Sequence, residues 1–166
     1  MASSDRLRVR LGEPADEDAV FEAMRQMHGL GESGFCHQDG KPFEFSESKV
    51  RNSVRIALVH YESWIGIAEV NERAAGVVML ALSTPFYSEA PYLAEQTLFV
   101  LPEYRGTSCA RLLLQFAKDL SVALKLPLAI AVMSADRPET KTKLYERALG
   151  QKASGSVFLC HLKSVS

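Results

Sequence analysis

Hydrophobic residues near the start of the chain recur first at strand spacing and then at helical spacing. Positions 7–11 alternate between apolar and arginine side chains, which predicts a half-exposed strand. Acidic residues at 16–18 suit the positive end of a helix dipole and precede an apolar stripe. Ser46 is a suitable N-cap for a second helix. The two predicted apolar stripes consist of Ala19, Val20, Ala23, Met24 and Met27, and of Val50, Val54, Ala57 and Leu58.

The middle of the chain carries strand patterns. Residues 64–70 and 76–82 are rich in β-branched and apolar side chains, and a short polar connection separates them. This arrangement predicts an antiparallel hairpin. A further apolar segment at 94–101 predicts a buried strand that ends at Pro102.

The last third alternates between helix and strand patterns. Leucines at helical spacing predict a helix over 111–124, and the short apolar run at 127–133 is typical of a central strand. Residues 136–139 resemble a capping box with a proline in the first turn, which would begin a helix that Gly150 ends. Residues 157–162 predict a final strand.

The predicted element order is β-α-α-β-β-β-α-β-α-β. This order indicates an α/β fold with a mixed, mostly antiparallel sheet and a parallel crossover around 102–126. The chain has 166 residues, 47% of them hydrophobic, and contains no repeat or low-complexity linker. We therefore expect a single domain over 1–166.

Charge and composition disfavour several classes of function. A formal net charge of −1 gives no electrostatic footprint for nucleic acid or for an anionic membrane. The three cysteines, Cys36, Cys109 and Cys160, form no C-x-x-C pair, and the four histidines lack metal-ligand spacing, so we expect no metal. The first residues lack the apolar core of a signal peptide, and no apolar run could span a bilayer. These features predict a cytoplasmic protein without a membrane partner.

The segment with the most informative chemistry lies between the strand at 94–101 and the helix at 111–124. Small residues at 106–110 would let a diphosphate approach the backbone, where the first amides of the helix and its dipole favour an anion. The segment contains neither a Gly-Lys-Ser/Thr sequence nor a G-x-G-x-x-G fingerprint. An unrelated nucleotide-binding protein is therefore disfavoured, and an ordinary strand-to-helix turn is the plainer alternative.

The sequence Leu98-Phe99-Val100-Leu101-Pro102-Glu103-Tyr104-Arg105-Gly106, followed by Arg111-Leu112-Leu113-Leu114, resembles the central motif of the GNAT superfamily of acyl-CoA-dependent N-acyltransferases. The superfamily pattern is Arg/Gln-x-x-Gly-x-Gly/Ala. Arg105 and Ala110 match its ends, and Ser108 replaces the middle glycine. In the general character of its sequence, the chain is most similar to small GNAT proteins of bacteria and their phages.

The resemblance implies a fold in which two parallel central strands splay apart and the pantetheine arm of acetyl-CoA, the co-substrate, lies between them. It implies backbone contacts with pantetheine at Leu98, Phe99 and Val100. The residues implied to bind the diphosphate are Arg105, Gly106, Thr107, Ser108, Cys109 and Ala110. The partner would be an amine acceptor, either a small molecule or a protein lysine. The oligomeric state stays open, with a homodimer as one alternative.

Transfer to an amine requires proton movement, because a lysine-like amine is only about 0.04% neutral at pH 7. By resemblance to the Tyr-x-x-x-Gly ending of the superfamily, Tyr145 is the candidate acid that protonates the leaving thiolate; its alternative is a core aromatic. Glu95, at the start of the cofactor strand, is the first candidate base, and Glu69 is the second. A water relay remains an alternative to both, and either glutamate could be a solvated strand-end carboxylate.

Several questions stay open at the level of sequence. The aromatic residues Phe86, Tyr87 and Tyr92 suit either an acceptor pocket or a loop that closes the core. The acyl group, acetyl or longer, and the acceptor are undetermined. A catalytically silent CoA-binding or protein-interaction module on the same fold is the alternative to an enzyme.

Overall fold

The computed structural model describes residues 6–32, 37, 41–132 and 137–155. Two short 3-10 turns, Pro14–Asp16 and Pro102–Tyr104, accompany the main elements. In chain order the main elements are β1 (Leu7–Leu11), α1 (Glu17–Gly29), α2 (Glu47–Val59), β2 (Ser63–Val70), β3 (Arg73–Ser83), β4 (Tyr92–Val100), α3 (Cys109–Leu124), β5 (Leu128–Ala129) and α4 (Pro138–Leu149).

The described strands form one sheet in the order β1-β2-β3-β4-β5. Neighbouring strands from β1 to β4 are antiparallel, whereas β4 and β5 are parallel. The crossover from β4 to β5 runs through α3, as parallel pairing requires. The predicted class, a mixed and mostly antiparallel sheet flanked by helices, is confirmed.

Helices cover both faces of the sheet because successive strand residues point to opposite sides. Ile65, Ile67 and Val77 pack against α1 and α2, while Ala68, Val78 and Leu80 pack against α3. All six are almost fully buried. The sheet therefore sits at the centre of a three-layer structure, and α3 is fixed on the face opposite α1 and α2.

Local signals set the ends of several elements as the sequence predicts. The Ser46 side chain accepts a 3.4 Å hydrogen bond from the Lys49 amide at the start of α2. Gly150 ends α4 with a φ of 69°, the left-handed conformation that glycine adopts at low cost. The hairpin between β2 and β3 turns at Asn71 and Glu72, whose φ angles of 51° and 66° match a tight turn of the primed type.

The strand predicted over 127–133 is much shorter in the structure, and this part of the prediction is wrong. Only Leu128–Ala129 pairs with β4, and residues 130–132 lie outside any strand. The reason lies in β4, where Leu80 of β3 pairs with Glu95 but Met79 pairs with Thr97. The extra residue in β4 forms a bulge, which bends a strand and disrupts its ladder. Met133, Asp136 of the predicted capping box and the predicted strand at 157–162 lie outside the described residues.

Candidate functional site

A cleft opens where β4 and β5 separate. The two strands pair at Leu93–Leu128 and Ala94–Ala129, and no further pairs between them occur among the described residues. The space beyond these pairs has a volume of about 510 Å³. Its lining combines Glu95, Gln96, Thr97, Leu98, Phe99 and Val100 of β4, Tyr104, Arg105, Gly106, Thr107 and Ala110 around the start of α3, Ala131 and Val132 after β5, Arg137, Thr140, Lys141, Leu144 and Tyr145 of the α4 region, and Met27 and Glu32.

The turn before α3 lines this cleft through Gly106, Thr107 and Ala110 and leaves several backbone amides without a partner. Gly106 has a φ of 84°, and a Cβ added there would meet no atom within 4 Å, so glycine is required by conformation rather than by space. The Thr107 hydroxyl donates to the Tyr104 carbonyl at 2.6 Å and accepts from the Cys109 amide at 3.3 Å. Among the described residues, the amides with no hydrogen-bond partner in this turn are those of Gly106, Ser108, Ala110 and Arg111. Such amides at a helix start suit an anion.

The departure at Ser108 does not distort the turn. Its φ of −81° and ψ of 4° lie in a region open to all residues, so no glycine is needed at this position. Ser108 nevertheless lies outside the lining of the cleft. Cys109 is a free thiol whose side chain is buried in the core beside Leu113, so only its backbone faces the turn. The other seven residues of the predicted cofactor set line the cleft.

Arg105 connects the turn to its surroundings. Its Nη2 lies 2.8 Å from Oε1 of Glu32, and its Nε donates to the carbonyl of Val100 at 3.2 Å. The guanidinium carbon is 5.5 Å from the centre of the Phe99 ring. The second carboxylate oxygen of Glu32 lies 3.6 Å from the ammonium nitrogen of Lys141 on α4.

Glu95 and Tyr145 lie in the same cleft, on β4 and α4 respectively. Burial raises the pKa of the Glu95 carboxyl to about 7, although a 3.3 Å hydrogen bond from the Ala131 amide opposes this shift. Burial and then the negative charge of Glu95 raise the pKa of the Tyr145 hydroxyl above its ordinary value. At neutral pH the cleft therefore contains a carboxyl group near half ionisation and a protonated phenol.

Glu69, the second candidate base, lies elsewhere. Its buried carboxylate accepts hydrogen bonds of 2.7 Å from Nε of Arg8 and Nε of Arg10, across the β1–β2 pairing. Burial opposes its ionisation, but the bonds from Arg8 and Arg10 outweigh it and hold the Glu69 pKa below its ordinary value. Glu69 is outside the cleft lining and is an ionised structural partner of two arginines.

The candidate aromatic residues also lie outside the cleft lining. Phe86 and Tyr87 are exposed in the loop before β4, where their rings contact each other edge to face at 5.1 Å. Tyr92 is half-buried at the start of β4. None of the three is among the described residues that line the cleft.

Other cleft residues were missed by the sequence reasoning. Met27 and Glu32 belong to α1 and the segment after it, while Lys141 and Leu144 belong to α4. Lys141 and Leu144 are three residues apart on the helix that was predicted to carry Tyr145, and residues at this spacing lie on the same helix face. This spacing could have indicated both. No comparable signal marked Glu32, which lies in a stretch rich in glycine and polar residues.

Within the described ranges, none of the helices has the length and apolar character that a bilayer crossing requires. The same residues bring together no group of three histidine, cysteine, aspartate or glutamate side chains that could hold a metal ion.

A sheet whose two parallel strands separate beside a helix start with free amides defines a protein suited to an extended anionic ligand. Comparison with family models matches residues 23–151 to the acetyltransferase (GNAT) family. Because this match covers most of the sequence, the chain belongs to that family. It is an acetyltransferase, and acetyl-CoA is its co-substrate.

Solved structures share the fold over nearly the whole chain. An aminoglycoside N-acetyltransferase in complex with CoA is 12% identical at a TM-score of 0.68, covering 98% of this chain and 99% of that one. The ribosomal-protein-alanine N-acetyltransferase of Brucella melitensis biovar Abortus 2308 is 14% identical at a TM-score of 0.67, with coverage of 96% and 99%. A predicted acetyltransferase of Clostridium acetobutylicum, solved with acetyl-CoA, is 14% identical at 0.68, with coverage of 93% and 96%. No curated protein sequence significantly matches this chain.

Proposed function

We propose that this protein transfers the acetyl group of acetyl-CoA to a primary amine by direct attack while both substrates are bound. The observation that carries the proposal is the position of Glu95 and Tyr145 in one cleft with the free amides of the turn before α3. Two structural neighbours are an aminoglycoside N-acetyltransferase and a ribosomal-protein-alanine N-acetyltransferase, which supports an amine as the acceptor class.

The residues of the cleft fit the co-substrate. The free amides of Gly106, Ser108, Ala110 and Arg111 and the Arg105 guanidinium would hold the diphosphate. Leu98, Phe99 and Val100 pair with β3 along one edge of β4, and the opposite edge faces the cleft. Their backbone groups on that edge can bind the amides of the pantetheine arm as an added strand would. Cys109 would contribute through its backbone alone, because its side chain is buried.

Glu95 would act as the base. A general base works best when its pKa is near the operating pH, and the Glu95 pKa of about 7 meets that condition. Its carboxylate would accept the proton that the ammonium form of the acceptor must lose before it attacks. The bond from the Ala131 amide would hold the carboxylate in place during this step.

Tyr145 would act as the acid. Acetyl-CoA supplies the acetyl group as a thioester, so that formation of the new C–N bond breaks the C–S bond and releases a thiolate. The Tyr145 hydroxyl keeps its proton at neutral pH, since burial and the charge of Glu95 both raise its pKa. Once Glu95 has taken a proton its charge no longer raises the Tyr145 pKa, and Tyr145 can give its proton to the departing sulfur. The acceptor nitrogen loses a second proton after it attacks, so two protons leave it in all. One would restore Tyr145 by way of solvent, and the other would leave as a free proton.

The proposal is tested in two steps. Melting curves with CoA and with ATP come first: CoA at 100 times its Kd should add about 2.7 kcal/mol to the unfolding free energy, and ATP much less.

A panel of acceptors is then screened for release of free thiol from acetyl-CoA, with a polyamine, an amino sugar, an aminoglycoside and a lysine peptide as its members. The N-acetylated product is identified by mass spectrometry. If CoA stabilises the protein but no amine releases thiol, amine transfer is wrong and a silent CoA-binding module is the better interpretation.

A further inference from the structure

An ion-pair cluster joins three separate parts of the chain at the cleft. The Glu32 carboxylate, from the segment after α1, lies 2.8 Å from Arg105 and 3.6 Å from Lys141. Arg105 belongs to the turn before α3, and Lys141 belongs to α4. The Glu32 side chain is only 12% exposed, whereas Arg105 and Lys141 remain 33% and 29% exposed. All three residues line the cleft.

The cluster places a negative charge where a phosphate-bearing ligand needs positive charge. Arg105 directly precedes Gly106, the first residue of the turn with a free amide. A diphosphate on these amides would lie within reach of the guanidinium, whose fork of donors suits phosphate oxygens as well as carboxylate oxygens. Glu32 and a diphosphate would then compete for the same donors and would repel each other as like charges.

We propose that Glu32 is an internal anion that holds Arg105 and Lys141 in the ligand-free protein and is displaced from Arg105 by the diphosphate of CoA. The inference rests on the proposed use of the 105–110 turn for that diphosphate. Glu32 thereby determines affinity and selectivity: a ligand with a diphosphate replaces the bond that it breaks, whereas a ligand without one leaves the ion pair intact.

The test compares the wild type with Glu32→Gln by calorimetry at low ionic strength, using CoA, dephospho-CoA and pantetheine. Removing the internal anion should tighten CoA binding by about fivefold, which corresponds to the upper range for a partly exposed ion pair. Dephospho-CoA, which keeps the diphosphate, should gain equally. Pantetheine, which lacks it, should bind both proteins with the same Kd.

Two further variants serve as controls. Glu103→Gln removes the same charge two residues from Arg105, at an exposed position outside the cleft lining, and should change the Kd of CoA by less than about twofold. In an Arg105→Gln background, Glu32→Gln should give a smaller gain, because the competition for the shared donor is gone and only the repulsion between Glu32 and the diphosphate remains. Melting temperatures confirm folding, and Glu32→Ala repeats the comparison should the Gln variant be unstable.

Different results separate the possible errors. Equal or weaker CoA binding by both Glu32 variants would overturn the inference, since Glu32 would then support the ligand site rather than compete for it. A gain that disappears with dephospho-CoA would also overturn it, by assigning the competition to the 3′-phosphate. Failure of the wild type to bind CoA at all would instead reject the diphosphate site on which the proposed function depends.

Discussion

Glu95 and Tyr145 line one cleft, and after burial the charge of Glu95 is the second cause that raises the pKa of Tyr145. The relationship assigns different tasks to the two groups. Ionised Glu95 can accept a proton, and the same ionisation strengthens the hold of Tyr145 on its own. Because the two ionisations are coupled, the first predictions concern pH.

The pH dependence of the rate should reveal Glu95. Its carboxyl group has a pKa of about 7 and acts as a base only when deprotonated, so kcat/KM should rise as pH increases through that value. Glu95→Gln should lose this inflection, together with about 10² to 10⁴ of the rate. The measurement is a pH series of kcat/KM for an acceptor found in the screen. An inflection near pH 7 that persists in the variant would assign the base to water or to another group.

The stability of the protein should depend on the same ionisation, with a predictable sign. The folded-state pKa of Glu95 lies above the ordinary value of 4.5. The contribution of the protonated Glu95 carboxyl to the free energy of unfolding is therefore fully present below pH 4.5. It is lost as pH rises through about 7, where the buried group ionises. Gln cannot ionise, so Glu95→Gln should gain stability over the wild type between pH 5 and 8, by on the order of 2 kcal/mol. Urea unfolding at several pH values tests this, and a difference that does not change with pH would contradict it.

Tyr145→Phe should separate chemistry from binding. The substitution removes only the hydroxyl, so kcat should fall by about 10² to 10⁴ while the Kd of CoA and the melting temperature change little. Stopped assays of thiol release and calorimetry give these quantities. A variant with full kcat would transfer the role of acid to solvent, whereas a lower melting temperature would show that the hydroxyl is structural.

Gly106→Ala should weaken CoA binding through the backbone. Alanine is strained at a φ of 84°, so relaxation of the turn would reorient the free amides and should destabilise the protein by about 1 kcal/mol. The matched control is Gly29→Ala at the end of α1, where an added Cβ likewise meets no atom within 4 Å but φ is not positive. Calorimetry with CoA should show a loss for the first variant and none for the control. Equal affinities would mean that the diphosphate lies elsewhere.

The parts of the fold that could be predicted from sequence depend on local patterns. The bounds of β1, the cap of α2 at Ser46 and the end of α4 at Gly150 follow from neighbouring residues alone. The shortened β5 does not, because its length depends on the bulge in a strand more than 30 residues away along the chain. An apolar run records burial and gives no information about when its partner strand bends away.

The candidate site was predictable to the extent that its residues belong to regular elements. Glu95 and Tyr145 could be placed on a strand and a helix, and both lie in the cleft. Glu69 was a reasonable candidate base until the register set it opposite Arg8, a pairing that depends on contacts between β1 and β2. The role of Glu32 depends on a loop residue meeting Arg105 at a sequence distance of 73, which no local pattern could indicate.

The two-residue pairing of β5 with β4 also affects how the molecule should open. Hydrogen bonds join each strand to its neighbour along most of its length in the series from β1 to β4. By contrast, α4 contains no fully buried residue within the described part of the chain. Segments with little burial open with a lower free energy than the core of a sheet. We therefore expect amide hydrogens of α4 to exchange with solvent sooner than those of β2 and β3. Tyr145 would then belong to the more readily opened half of the protein, whereas Glu95 belongs to the strand that anchors the sheet.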